Sequence, residues 1–240
     1  MKIALIGYGK MGKELEKAAL SRGHEIVCII DVDNQEDFES EAFKSADVAI
    51  EFTNPMVAYS NYMKAFKAGV KLVSGSTGWM AEHGEEIKKL CTEGGKTLFW
   101  SSNFSLGVSI FSALNKYLAK IMNQFPAYDV TMSETHHIHK LDAPSGTALM
   151  LADAINEENN GAYHYVYDRS SVRQKRDPKE IGISSVRGGS IVGDHEVLFC
   201  GPDEVITLKH TAYSRSVFAN GAINAAVYLA KKGAGPVQYG

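Results

Sequence analysis

The 240-residue sequence has few cysteines. There are three, Cys28, Cys91 and Cys200, an odd number with no Cys-x-x-Cys pair. That excludes a disulfide framework or a cysteine-built metal centre as the organising principle, and favours a reducing compartment. The chain also lacks an excess of either charge. Lys and Arg number 25 against 28 Asp and Glu, a net charge of -3, which gives no sign of a nucleic-acid surface. No apolar run is long enough to span a bilayer, and the strand-like run after Met1 has neither a basic leader nor a cleavage site. The expectation is a soluble cytoplasmic protein with no nucleic-acid or membrane partner. Internal repeats and low-complexity tracts are lacking too. What remains is ordinary globular material, 45% hydrophobic and 22% charged, enough for one large domain or two small ones.

Short apolar runs at 2–6, 25–30, 47–52, 71–74 and 97–100 read as buried parallel strands. Amphipathic helices are predicted between them at 10–22, 56–68 and 81–93, with Gly23, Gly69 and Gly94-Gly95 at their ends. This alternation predicts an α/β fold with a Rossmann-type doubly wound parallel sheet. Beyond Asn103 the pattern changes. Helices are predicted at 105–124 and 145–159, an extended run at 128–140, and strand-like runs in succession at 163–167, 181–186, 190–199 and 204–211. Strands without intervening helices predict a second, α+β domain with a mixed or antiparallel sheet. Residues 168–180 read as a mobile polar loop. A final helix, 214–232, carries a small-residue face (Ala219, Ala222, Ala226, Ala230) suited to packing on the first domain. The expected division is 1–104 with 214–240 as a dinucleotide-binding domain, and 105–213 as a substrate-binding and oligomerisation domain.

Gly7-Tyr8-Gly9-Lys10-Met11-Gly12 fits G-x-G-x-x-G. Alone it is a weak signal. Here it follows a predicted strand and opens a predicted helix, which is the context a pyrophosphate needs: close backbone approach and free helix N–H groups. Asp31 stands 19 residues beyond Gly12, where an acid binds the ribose hydroxyls. Its carboxylate repels a 2′-phosphate, and no arginine follows in Val32-Asp33-Asn34, which favours NADH over NADPH, although Lys10 stays within reach of a phosphate. Two further loops follow predicted strands, Phe52-Thr53-Asn54-Pro55 and Gly75-Ser76-Thr77-Gly78. Each reads equally as a ligand loop or as a plain strand-helix connection.

The densest chemistry lies in Glu134-Thr135-His136-His137-Ile138-His139-Lys140-Leu141-Asp142-Ala143-Pro144-Ser145-Gly146-Thr147. His136 and Lys140 are four apart and share a face in either a strand or a helix. Ser145 or Thr147 caps the following helix and leaves its N–H groups for an anion. An imidazole, an ammonium and an anion cradle in one short span suit proton donation to a carboxylate substrate. Competing readings are a zinc site on His137 and His139, which no cysteine supports, and a solvated edge strand.

Residues 134–148 match E-x-H-H-x-x-K-x-D-A-P-S-G-T-A, and on that motif the chain resembles the bacterial 4-hydroxy-tetrahydrodipicolinate (dihydrodipicolinate) reductase family. The likeness extends over nearly the whole chain, through Gly9–Gly12, Gly75–Gly78, Asn103-Phe104-Ser105, Gly193-Asp194-His195, Ser214-Arg215 and Phe218-Ala219-Asn220-Gly221-Ala222. It implies an oxidoreductase of diaminopimelate and lysine biosynthesis. A hydride would pass from NADH or NADPH to a cyclic imine with two carboxylates. The resemblance makes Lys140 the general acid. His136 assists as proton donor or polarises the substrate, and His137, Lys140, Ser145, Gly146 and Thr147 hold the carboxylates. Gly7, Lys10, Met11, Asp31, Phe52, Gly75, Thr77, Ser102, Asn103 and Phe104 line the cofactor cleft with Arg215, and the motif readings add Gly9, Gly12 and Ser76. It also implies a homotetramer joined through the second domain's sheet. No metal is expected, because no cysteine or second carboxylate-histidine pair supports a zinc site. Val32 stands where the family often has a basic residue, and the first turn reads G-Y-G-K-M-G rather than G-x-x-G-[RK]-M-G. Two other readings share the nucleotide half: an amino-acid dehydrogenase, which has no need of the Pro-Ser-Gly-Thr cradle, and an NADH-sensing DNA-binding regulator, against which the charge argues.

Overall fold

The computed structural model describes residues 1–167, 169–170 and 172–232, and the backbone of Gln238–Tyr239. The chain divides into two units, Met1–Ser105 with Arg215–Gly240, and Leu106–Ser214.

In the first unit, strands β1 (Lys2–Ile6), β2 (Glu25–Ile30), β3 (Val48–Glu51), β4 (Leu72–Ser74) and β5 (Leu98–Trp100) alternate with helices α1 (Lys10–Ser21), α2 (Glu41–Lys44), α3 (Pro55–Lys67) and α4 (Met80–Thr92). The strands pair in parallel in the order β5-β4-β3-β1-β2. The chain thus reverses direction across the sheet between β1 and β3, and the carboxyl ends of those strands border the crevice where such sheets bind ligands. Helix α3 starts cleanly because Asn54 accepts the Met56 N–H at 3.0 Å and Pro55 fills the first turn. Helix α1 begins at Gly9 with no side-chain cap, so its first N–H groups meet no side-chain oxygen.

The second unit contains α5 (Leu106–Met122), β6 (Asp129–His136), α6 (Gly146–Glu158), β7 (His164–Val166), β8 (Glu180–Arg187), β9 (Gly193–Cys200) and β10 (Val205–Ala212). Its sheet runs β10-β9-β6-β8-β7 and is mixed: β6 pairs in parallel with β8 and antiparallel with β9. Val130, Met132, Ile181, Ile183, Val197 and Phe199 turn inward to pack with Leu151, Ala152 and Ile155 of α6, forming the unit's core. Each of these side chains except that of Ala152 contributes roughly 1.5–3 kcal/mol on burial. The chain then returns to the first unit with α7 (Ser216–Lys231) and a two-residue strand, β11 (Gln238–Tyr239), parallel to β5. Ala219, Ala222 and Ala226 are buried as the small-residue face predicted. Leu229 rather than Ala230 completes the buried stripe.

The structure departs from the sequence expectations in three places. Residues 128–140 are not one extended run. β6 stops at His136 because its neighbour β8 ends at Arg187, directly opposite, and a turn follows in which Lys140 N–H donates to the His137 carbonyl at 3.1 Å. His136 and Lys140 therefore share no strand or helix face. Residues 33–46, to which the sequence pattern assigns no element, are ordered by two aromatic rings. Phe38 and Phe43, edge to face at 5.1 Å, anchor a 3₁₀ turn (Gln35–Glu39) and α2 in the core. The strand expected at 190–199 starts at Gly193, and β11 was too short to leave a pattern. Within the loop expected at 168–180, Asp168 and Ser171 lie outside the described residues. Glu180 already belongs to β8 and pairs with Arg169 at 2.6 Å.

Candidate active site

The carboxyl ends of β1, β2 and β3 surround a cavity of about 440 Å³, lined by residues that include Gly7, Gly9, Asp31, Val32, Gln35, Phe52, Thr53 and Asn61. Two glycines show why its floor is backbone. Gly7 has φ +91°, and a Cβ there would stand 2.3 Å from the Phe52 carbonyl oxygen. A Cβ on Gly12 would stand 2.3 Å from the Gly7 carbonyl oxygen, so α1 packs against the turn only without one. Bare backbone, an uncapped helix start and an exposed acid at the far end fit a dinucleotide's pyrophosphate and ribose.

The predicted cofactor residues separate into groups. Gly7, Gly9, Asp31 and Phe52 line the cavity. Lys10 is exposed and Met11 half-buried on the first turn of α1. The Phe52 ring lies against Gly75, 2.2 Å from where a Cβ would be, and 5.7 Å from the Phe104 ring. Thr77 and Ser102 are exposed, Asn103 is half-buried, and Arg215 stands at the start of α7. Ser76 points inward instead. Its hydroxyl donates to Glu51 at 2.8 Å and accepts the Thr53 N–H at 2.9 Å, so it supports the loops rather than facing a ligand.

Glu51 was overlooked in the sequence. An acid at the end of the apolar run Val48-Ala49-Ile50 was the available signal. Its carboxylate is fully buried and accepts from Ser74 Oγ at 2.6 Å, from Ser76 Oγ, and from the Thr53 N–H at 3.1 Å. Burial pushes its carboxyl above the usual range in spite of those donors. Trp79 and Trp100 both donate to the Ser76 carbonyl, at 2.9 and 2.7 Å. The two ligand-loop candidates are therefore tied to each other and to the sheet.

In the second unit, β6 lies between β8 and β9. Register places Glu134 between Ser185 and His195, and His136 opposite Arg187. Arg187 grips the Glu134 carboxylate with two nitrogens, at 2.8 and 3.0 Å, and His136 Nδ1 contacts the same carboxylate. Burial works against the Glu134 charge, but Arg187, Ser185 and His136 outweigh it and hold the carboxyl below its usual range. Burial also lowers His136, more than Glu134 raises it, with Lys140 and Arg187 adding to the depression. His195, edge-on to His136 at 5.1 Å, is pushed down to about 4 by burial and by the neighbouring His136.

Ser145 caps α6 as expected, accepting the Ala148 N–H at 3.2 Å. Its hydroxyl also meets His195 Nε2 at 3.0 Å, so what it offers an anion is backbone. At this helix start a carboxylate is already held. Asp142 accepts from Lys140 Nζ at 2.8 Å and from the Gly146 N–H, and those donors keep it below the usual carboxylate range despite partial burial. Gly146 is exposed, and Thr147 and His137 are half-buried. Two of the residues expected to hold a substrate carboxylate, Lys140 and Gly146, hold the chain's own Asp142. Among the described residues no group of three or more His, Cys, Asp or Glu side chains is placed to hold a metal ion.

A parallel sheet with a glycine turn and an acid at the end of its second strand, and a second sheet with a buried Glu-His pair, define a two-unit nucleotide-dependent oxidoreductase. Comparison with known proteins gives the particular family. The dihydrodipicolinate reductase N-terminus model matches residues 1–104 and the C-terminus model residues 107–239. A 4-hydroxy-tetrahydrodipicolinate reductase of Staphylococcus carnosus is 40% identical over 238 residues, covering 97% of this chain and 95% of that protein. One from Christiangramia forsetii is 39% identical over 232 residues, covering 97% and 93%. The solved structure of dipicolinate-bound dihydrodipicolinate reductase from Paenisporosarcina sp. TG-14 superposes with a TM-score of 0.76 at 25% identity, covering 100% of this chain and 97% of that one. The chain belongs to the dihydrodipicolinate reductase family, and its cofactor is a nicotinamide dinucleotide.

Proposed function

We propose that the chain reduces 4-hydroxy-tetrahydrodipicolinate to tetrahydrodipicolinate, in the pathway to diaminopimelate and lysine. The observation that carries this reading is the carboxylate held between Lys140 Nζ and the Gly146 N–H at the start of α6, beside His136. A substrate carboxylate takes the place of Asp142 on those donors, with Thr147 and His137 completing the cradle. When bound, the nicotinamide dinucleotide supplies a hydride. Lys140, released from Asp142, delivers the proton to the ring. The 4-hydroxyl leaves as water with a hydrogen from the adjacent ring carbon, and one hydride and one proton are then added to the ring.

On the nucleotide side, Gly7, Gly9 and Gly12 with the start of α1 take the pyrophosphate, and Asp31 takes the ribose hydroxyls. Phe52, Gly75, Thr77, Ser102, Asn103, Phe104 and Arg215 belong to the nicotinamide side. Asp31 is exposed at the cavity rim, where its carboxylate repels a 2′-phosphate, which supports NADH over NADPH. We place the enzyme in the cytoplasm, as a homotetramer assembled through the sheet of the second unit. The test is the oxidation of NADH and of NADPH, followed optically, with freshly generated substrate. Turnover of NADH at the higher kcat/KM is expected, and no oxidation of either cofactor refutes the reading.

A further inference from the structure

The Glu134 carboxylate is 1% exposed and has four donors: two Arg187 nitrogens, the Ser185 hydroxyl and His136 Nδ1. Arg187 does more than neutralise it. Its Nη2 also donates to the Asp142 carbonyl at 2.6 Å and its Nη1 to the Val186 carbonyl at 2.7 Å, so the guanidinium is fixed at both ends. An ionised carboxylate has no hydrogen to give, and the fork of Arg187 keeps this one ionised. The proton between Glu134 and His136 therefore sits on Nδ1. The other ring nitrogen faces Gly193, where a Cβ would stand 3.0 Å from Nε2. Any larger residue at 193 would cover that nitrogen.

We infer that Glu134 and Arg187 are positioning residues that fix His136 in its Nδ1–H form, and that Gly193 keeps Nε2 open as the ring's working atom, a hydrogen-bond acceptor. The inference rests on the proposed reduction for the site's purpose, but not for its geometry. It changes the part His136 plays. A neutral ring protonated on Nδ1 has no Nε2 proton to give, so it orients the Lys140 ammonium or a substrate N–H, and Lys140 alone supplies the proton. Burial, which keeps the ring neutral against the pull of Glu134, acts in the same direction. A carboxylate behind a histidine is a general way of fixing tautomer and ring orientation.

The first test needs no substrate. In protein labelled with ¹⁵N-histidine, with the His136 signals assigned by loss in His136→Gln, wild type should show a protonated Nδ1 and an unprotonated Nε2 at neutral pH. In Glu134→Gln the Nδ1 signal should move towards the unprotonated range as the tautomers mix. An unprotonated Nδ1 in wild type overturns the inference, whatever the enzyme's substrate. The second test is kinetic. Glu134→Gln should lower kcat at least about tenfold with the KM for NADH unchanged. In a His136→Gln background it should cost almost nothing further. An equal loss in both backgrounds means that Glu134 acts on the fold and not through His136, and the inference fails. Should Glu134→Gln not fold, Glu134→Gln with Arg187→Met removes both buried charges together and serves the same two comparisons. If wild type turns over no substrate, the proposed reaction fails, while the tautomer measurement still decides this inference.

Discussion

Acid should weaken the second unit through His195. The ring is buried on the inner face of β9, shares a hydrogen bond with Ser145, and faces His136, Glu134, His210 and Lys140. Burial, with smaller contributions from the neighbouring His136, His210 and Lys140, pushes its pKa down to about 4, from an unfolded value of 6.5. Because the folded value is the lower one, the unfolded chain binds a proton that the folded chain refuses between those two pH values. Stability is then complete above pH 6.5 and falls as pH drops towards 4. At 1.36 kcal/mol per unit, the 2.5-unit gap corresponds to about 3 kcal/mol, of which about 2 is lost by pH 5. Other histidines and the carboxylates titrate too, so the absolute slope is not the test. The comparison is urea unfolding of wild type and His195→Gln at several pH values from 7.5 to 4.5. Glutamine keeps a hydrogen bond to Ser145 without titrating. Wild type should take up close to one more proton on unfolding than the variant, so the gap between their stabilities narrows on acidification. Parallel pH dependences would show that His195 titrates normally and is not desolvated as the geometry requires.

Three other outcomes follow from the same contacts. Lys140→Ala should lower turnover by about 10² to 10⁴-fold, the usual range for losing a general acid, with NADH affinity nearly kept; a large loss of NADH binding by titration would move Lys140 out of the substrate site. Asp31→Ala should narrow the NADH preference, and an unchanged ratio of kcat/KM values for NADH and NADPH would refute the ribose assignment. Asp142→Asn removes the internal competitor for Lys140 and Gly146. An exposed ion pair is worth roughly 0.2–1 kcal/mol, so pyridine-2,6-dicarboxylate should bind up to about fivefold tighter by calorimetry. Weaker binding would mean that Asp142 helps to build the cradle.

Much of the nucleotide half was legible because its signals are local. The turn Gly7–Gly12 combines a strand end, a backbone-only bend and a helix start within six residues, and each part has its own compositional mark. The Ser145 cap is equally local. Glu51 was less legible: it looks like a strand-end residue until β4 brings Ser74 and Ser76 to it. The pairing of His136 with Lys140 was argued from a periodicity that stops between them, since β6 ends where β8 ends. Phe38 and Phe43 were hidden in a polar stretch whose order comes from two side chains reaching the core rather than from a repeating pattern.

By itself, the sequence determined the fold class, the glycine turn between strand and helix, and the stretch from Glu134 to Ala148 that marks the family, because each is written in neighbouring residues. Only the tertiary structure decided which groups work on which. Arg187 reaches Glu134 across 53 residues and His195 reaches Ser145 across 50, through strand register in a mixed sheet. Neither separation leaves a periodic trace in the chain. Burial, which sets the protonation of Glu51, His136 and His195, exists only once the core has closed around them.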